Sequence, residues 1–177
     1  MKHPMTKIPA TFSIRPAQAD DIAVILGMIT DLAAFEQLSH LVVADHALLQ
    51  EALFGATPAC ECVLGCEAGK PVAFALFFHN FSTFLGRRGL YLEDLYVRPE
   101  ARGRGHGKAM LSHLAALALA RGCGRFEWSV LDWNADAIGF YQGLGADVMP
   151  DWRICRITGD ALDTLAASSV HAGQGKK

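Results

Sequence analysis

The sequence has no surplus of positive charge: 16 Lys and Arg stand against 18 Asp and Glu, a net charge of −2. Nucleic-acid binders usually concentrate basic residues, so no nucleic-acid partner is expected. The slight acidity is compatible with a cationic small substrate but does not demonstrate one. No apolar run approaches the roughly 18 residues that cross a bilayer, so no membrane partner is expected. Residues 1–11 carry Lys2 and Lys7 but lack the apolar stretch of a signal peptide, and they read as a flexible leader. There is no C-x-x-C pair among the five cysteines, Cys60, Cys62, Cys66, Cys123 and Cys155. Their odd number and spacing exclude a disulfide framework and a zinc ribbon. Most sit in apolar runs and read as buried thiols, which suits a reducing cytoplasm. His79, His106 and His113 share no metal-ligand spacing, so no metal is expected, and His106 reads as facing solvent. Internal repeats and linkers are also missing.

What is present is an ordinary globular composition, 51% hydrophobic and 19% charged over 177 residues. That length suits one domain with a sizeable core. Phe12-Ser13-Ile14-Arg15 reads as a first strand ended by Pro16. Asp20 or Asp21 can cap a helix carrying Ile22, Ile25, Leu26, Ile29, Leu32 and Ala33. Asp45 can cap a second helix through Leu53. Cys60–Glu67 and Val72–His79 read as strands of a hairpin turning at Ala68-Gly69-Lys70-Pro71. Residues 80–88 read as a polar loop and Leu90–Val97 as another strand. A helix begins near Gly105 and ends at Arg121-Gly122. Phe126–Leu131 reads as a strand and Asn134–Leu144 as a helix with Gly145 at its end. Two short strands are expected at 146–149 and 153–157, then a helical turn at 160–166 and a disordered tail at 167–177. The order βααβββαβαβ(β) implies one mixed α/β domain over residues 12–166.

The chemistry concentrates at Arg102-Gly103-Arg104-Gly105-His106-Gly107-Lys108, between a strand and a helix. Glycines there let successive backbone N–H groups converge on one point. The helix start adds partial positive charge, and Arg102, Arg104 and Lys108 add full charges. This is an anion cradle suited to a pyrophosphate. It is not a Walker A loop, because Ala109 follows Gly107-Lys108 and Arg102 stands where the first glycine is required. It fails the dinucleotide fingerprint because Lys108 occupies the last glycine position. The pattern [RQ]-x-x-G-x-[GA] is met by Arg102, Gly105 and Gly107. It resembles the pyrophosphate loop of the GNAT superfamily of acetyl-CoA-dependent N-acetyltransferases. On its own a basic, glycine-rich turn can also exist without a ligand.

Further stretches carry the resemblance: Tyr91-Leu92-Glu93-Asp94-Leu95-Tyr96-Val97, then Val130-Leu131-Asp132-Trp133-Asn134, then Phe140-Tyr141 with Leu144-Gly145-Ala146. Together they resemble the diamine (spermidine/spermine) acetyltransferase family. Leu131-Asp132-Trp133-Asn134 and Ser82-Thr83 are similar to its thialysine acetyltransferase-like branch. The resemblance covers roughly residues 12–149 and is weaker before 60. It implies the GNAT fold, a splayed mixed sheet flanked by helices, with acetyl-CoA as co-substrate and direct transfer in a ternary complex to the primary amine of a small molecule, a diamine, a polyamine or a thialysine- or lysine-like amino acid. It also implies a homodimer, through the C-terminal strands.

By that resemblance Glu93 is the general base. Its strand is otherwise apolar, where a carboxylate must be paired, wet or functional, and an amine of ordinary pKa must lose a proton before it attacks. A structural salt bridge is the alternative. Asp94 breaks strand alternation, where the family carries a β-bulge; it either helps bind the cationic amine or is structural. Tyr141 is implied as the acid that protonates departing coenzyme A, although an aromatic there also suits a core. Asn134 is a good N-cap residue and is implied to touch the cofactor. The Leu95-Tyr96-Val97 backbone is implied to bond the acetyl and pantetheine groups. Glu36 is either presented to the amine or a solvated helix-end charge. Ser82 and Thr83 are implied to line the substrate pocket. Ser82 stands where polyamine-preferring members are acidic, which favours a shorter or amino-acid-like amine. Arg87-Arg88-Gly89 contains an inserted residue, and the segment through Trp152 is shortened. Cys123 and Cys155 lie off the motifs, which argues against a covalent thiol route. Alternatives are a protein N-terminus, lysine side chain or aminoglycoside as acceptor, and a non-catalytic CoA-binding module.

Overall fold

The computed structural model describes residues 11–169. They form two compact units that divide after Ser129. The first contains β1 (Phe12–Pro16), α1 (Ile22–Phe35), α2 (His46–Phe54), β2 (Glu61–Glu67), β3 (Lys70–Ser82), β4 (Arg87–Val97), α3 (His106–Ala120) and β5 (Phe126–Trp128). The sheet order is β1-β2-β3-β4-β5. Its first four strands pair antiparallel, and β5 lies parallel to β4.

Alternation along the strands assigns the two faces. Cys62, Leu64, Cys66, Phe74, Leu76 and Tyr96 point to one face and pack with Ile25, Met28 and Leu53 of α1 and α2. The odd positions of β2 and β3 face α3. Gly65 marks that contact, since a Cβ there would lie 2.7 Å from the Phe12 ring and 3.0 Å from Met110 Sδ. Burial of Met110, Leu111, Leu114, Phe77, Leu90 and Leu92 fills this second layer.

Local chemistry explains the element ends. Asp45 accepts the Leu48 N–H at 2.8 Å and starts α2. Asp21 stands at the N-cap of α1, but its side chain makes no cap bond there. Asp21 instead pairs with Arg15 at 2.7 Å and accepts the Gln18 N–H at 2.7 Å. The guanidinium holds the Asp21 carboxyl below its usual range. α1 ends without glycine, because Gln37 takes the left-handed conformation at φ 62° and Leu38 N–H returns to Ala33 C=O at 2.8 Å.

Residues 80–88 are not a loop. β3 runs on to Ser82, β4 begins at Arg87, and only residues 83–86 turn. His79, Asn80, Phe81 and Ser82 find partners in Leu90, Gly89, Arg88 and Arg87, so ladder bonding overrides their polar composition. The fifth strand stops at Trp128 rather than Leu131.

The second unit contains α4 (Ala135–Gly143) and α5 (Asp160–Ala167). The strands expected at 146–149 and 153–157 are not formed. A strand exists only as a member of a ladder, and Pro150 removes a donor between these two segments. No described helix is long and apolar enough to cross a membrane. Cys62 and Cys66 are buried, Cys60 and Cys123 half-buried and Cys155 exposed, all as free thiols. Burial pushes the Cys62 thiol up to about 12.

Candidate active site

The β3–β4 ladder is interrupted at one place. Leu76 faces Asp94 and Phe77 faces Leu92, so Glu93 is the extra residue of a β-bulge. Beside the bulge, β5 pairs with β4 only through Leu90, Tyr91 and Leu92. Past Leu92 no described strand covers that side of β4, and the sheet opens.

The backbone on the open side follows from the ladder. Arg98 N–H donates to Val72 C=O at 2.9 Å. Facing pairs alternate between bonded and non-bonded, so Tyr96 and Asp94 turn their N–H and C=O groups toward β3. Leu95 and Val97 turn theirs to the open side. Arg102 Nε donates to the Val97 carbonyl at 2.9 Å. Tyr96 gives its backbone to β3 and its side chain to the core. Arg102 lies over the Tyr96 and Phe35 rings, its guanidinium carbon 5.4 and 5.1 Å from the centroids.

Asp94 is half-buried on the α1 side and electrostatically coupled to Glu93 and Glu36, with its pKa pushed up to about 6 by burial, then by those two charges. Burial also raises Glu36, which follows α1. Burial raises Cys60 too, with Glu93 as the next cause. Glu93 itself is exposed. Within one chain, then, Glu36, Glu93 and Asp94 form an electronegative cluster at the opening of the sheet. Such a cluster favours a cation and supplies carboxylates able to accept its proton.

The glycine turn has the expected backbone. Gly103 and Gly105 sit at φ 73° and 85°, and Gly105 is the N-cap of α3 without any side-chain cap bond. The first helical N–H groups, from His106, Gly107 and Lys108, have no intrahelical acceptor. They fit an anion. The side chains divide differently from the sequence reading. Arg104 is committed to Glu67, with Nη1 at 2.9 and 2.8 Å from its two oxygens, and Nη2 donates to Glu100 C=O at 2.9 Å. His106 does not face solvent. It is 1% exposed, stacks on Phe12 at 4.1 Å and 8°, and places Nε2 3.6 Å from Glu67. The first side chain of α3 turns inward onto β1 and β2, so His106 can offer the cradle only its N–H. Lys108 is exposed.

Ser82 and Thr83 lie at the other end of β4. Ser82 is buried, and its Oγ accepts the Leu85 N–H at 3.2 Å, which fixes the turn. Six residues of strand, about 20 Å, separate its partner Arg87 from Glu93. The fold joins Glu36 with Glu93 and Asp94 and leaves Ser82 and Thr83 outside that group.

In the second unit Asn134 caps α4, its Oδ1 accepting the Ala137 N–H at 3.2 Å. Tyr141 lies on α4 beside Phe140, ring centroids 5.4 Å apart. Gly145, at φ 92°, closes the helix as Ala146 N–H bonds Tyr141 C=O at 3.1 Å. The described residues contain no group of three His, Cys, Asp or Glu placed to hold a metal.

The profile of the acetyltransferase (GNAT) family matches residues 28–146. The chain is similar to the thialysine N-epsilon-acetyltransferase of Mus musculus, at 36% identity over 89% of this chain and 98% of the relative. It is similar to an L-ornithine N5-acetyltransferase of Arabidopsis thaliana, at 32% identity over 86% of each. Among solved structures, an integron cassette protein from the V. cholerae mobile metagenome superposes with TM-score 0.75 at 25% identity, covering 89% of this chain and 99% of that one. An aminoglycoside acetyltransferase from a soil metagenome shares the fold, with TM-score 0.72 at 15% identity over 86% of this chain and 100% of that one.

Proposed function

Because the chain belongs to the acetyltransferase (GNAT) family, we propose that it moves an acetyl group from acetyl-CoA to the terminal amine of an ω-amino acid of the thialysine, lysine or ornithine type. The bulge that projects Glu93 beside Asp94 and Glu36 carries this reading, because it sets three carboxylates where the sheet opens. The acceptor is a cation in water and must become neutral to attack. Asp94 and Glu36 hold it, and Glu93 accepts its proton.

Acetyl-CoA, when bound, supplies the acetyl group as a thioester and presents a pyrophosphate. The N–H groups of Gly105, His106, Gly107 and Lys108, with Arg102 and Gly103, fit the pyrophosphate. Leu95, with its N–H and C=O, and Val97, with its N–H, fit the pantetheine arm on the open side of β4. Asn134 adds a contact, and Tyr141 donates a proton to the departing sulfur. Arg104 acts from behind the loop through Glu67. The preference for an amino acid over a polyamine rests on the names of the relatives. Residues 12–166 act as one catalytic domain. A cytoplasmic homodimer completes the reading. The free thiols suit a reducing compartment. Phe84 and Leu85, at 97% and 53% exposure, offer the hairpin tip to a second copy.

The test is an acceptor panel with acetyl-CoA, read by thiol release: thialysine, lysine, ornithine, putrescine, spermidine, an aminoglycoside and a peptide with a free N-terminus. Highest kcat/KM is expected for the ω-amino acids; acetylation of the peptide alone would overturn the assignment. In Tyr141→Phe, turnover falls by about 10²–10⁴ with CoA affinity retained, and unchanged turnover removes Tyr141 from the reaction.

A further inference from the structure

We propose that the open cavity of about 560 Å³ framed by His79, Phe81, Arg87, Arg88 and Arg121 is a separate binding site for a phosphate-like oxyanion.

Its position sets it apart from both sites already described. Phe77, His79 and Phe81 alternate along β3 on the face that packs α3, and Leu90 and Arg88 oppose His79 and Phe81. The carboxylates at the bulge lie on the α1 side, so the sheet stands between them and the cavity. Arg121 follows the last residue of α3, whose 15 residues begin at the glycine cradle. About 22 Å of helix therefore separates the two ends.

The charges are unbalanced. Arg121 Nη2 pairs with Glu61 Oε2 at 2.8 Å, and its guanidinium lies 5.9 Å from the Phe77 ring. That ion pair accounts for one cation. Arg87 and Arg88 meet no carboxylate among the described residues. Arg88 opposes Phe81 on the His79 face of β4, and its guanidinium fork is a donor matched to phosphate or carboxylate oxygens, while Arg87, on the next strand position, lines the rim.

A third group needs an acceptor or donor in the same place. His79 Nε2 is buried and has no hydrogen-bond partner. Such an atom costs free energy until something bonds it. Burial lowers the His79 pKa first, and Arg121 and Arg88 lower it further. An oxyanion beside Arg88 would accept a hydrogen bond from the imidazole Nε2–H. Phe81, 61% exposed, adds a flat apolar wall for whatever carries the anion.

Inorganic phosphate is titrated calorimetrically into the full chain at low ionic strength, with CoA saturating so that the cradle is filled. Phenyl phosphate is the second probe, its ring matched to Phe81. Both are expected to bind, phenyl phosphate more tightly. Arg87→Ala with Arg88→Ala is expected to weaken both about tenfold or more, with KM for acetyl-CoA and turnover unchanged. Phe81→Ala is expected to abolish the advantage of phenyl phosphate alone. Arg88→Gln, its folding checked by melting temperature, is expected to weaken phosphate severalfold if the double variant fails to fold. No binding once CoA is saturating, or equal binding by wild type and the arginine variants, would overturn the site.

Discussion

Arg104 reaches both carboxylate oxygens of Glu67 with a single nitrogen, at 2.9 and 2.8 Å. The pair joins the end of β2 to the middle of the glycine turn, and buried His106 sits against the same carboxylate. A cation expected to grip phosphate is thus used to hold the loop in shape.

Glu67→Gln removes this tether and leaves the glycines unchanged. The ion pair is partly exposed, so its direct worth is small. KM for acetyl-CoA is expected to rise about three- to tenfold with kcat little changed. Steady-state kinetics in both substrates would separate this from a general loss of activity.

Gly105→Ala acts on the cradle itself. Gly105 sits at φ 85° as the N-cap of α3, and a Cβ in that conformation costs about 1–2 kcal/mol. A fall in melting temperature of a few degrees is expected, with weaker CoA binding by calorimetry. A variant that melts lower yet binds CoA normally would separate the strain from the cradle.

Glu93→Gln keeps the size of the bulge residue and removes its basicity. kcat/KM is expected to fall by about 10²–10⁴ at neutral pH. The loss shrinks as pH rises and more of the amine becomes neutral without help. A pH profile of wild type and variant measures both effects.

Asp94→Asn has a pH-dependent effect on stability. The Asp94 carboxyl is pushed up to about 6 by burial and by Glu93 and Glu36. Below its ordinary value the group is protonated in both folded and unfolded chains. Between that value and about 6 the folded chain keeps a proton that the unfolded chain has released, so stability falls as pH rises. Above this window the folded state carries the full cost of the buried charge. Asp94→Asn is therefore expected to stabilise by about 1–3 kcal/mol at pH 8 and by little at pH 4. Melting curves at the two pH values check it, alongside weaker amine binding.

The parts readable in the sequence rest on local rules. Asp45 caps α2 because a short acceptor before a helix has few other uses, and the glycine turn follows from backbone freedom. Glu93 was conspicuous because a charge in an apolar strand demands a reason. Partners that lie far away in sequence decide the rest. Phe81 and Ser82 looked like loop until Arg88 and Arg87 lay beside them. His106 looked solvent-facing, but the tight turn rolls the first side chain of α3 onto Phe12. The segments around Ala146 and Ile154 alternate like strands but lack a ladder to join. The tie from Arg104 to Glu67 crosses 37 positions, beyond any local pattern.

The bulge sets regularity of the sheet against catalysis. Removing Glu93 would leave Leu92 and Asp94 adjacent, facing Phe77 and Leu76 in an unbroken antiparallel register. The most economical repair of the ladder is thus a one-codon deletion, and it discards the residue to which the reaction is assigned. A library selected for thermal tolerance alone should drift toward that deletion, whereas one selected for turnover should retain the flaw.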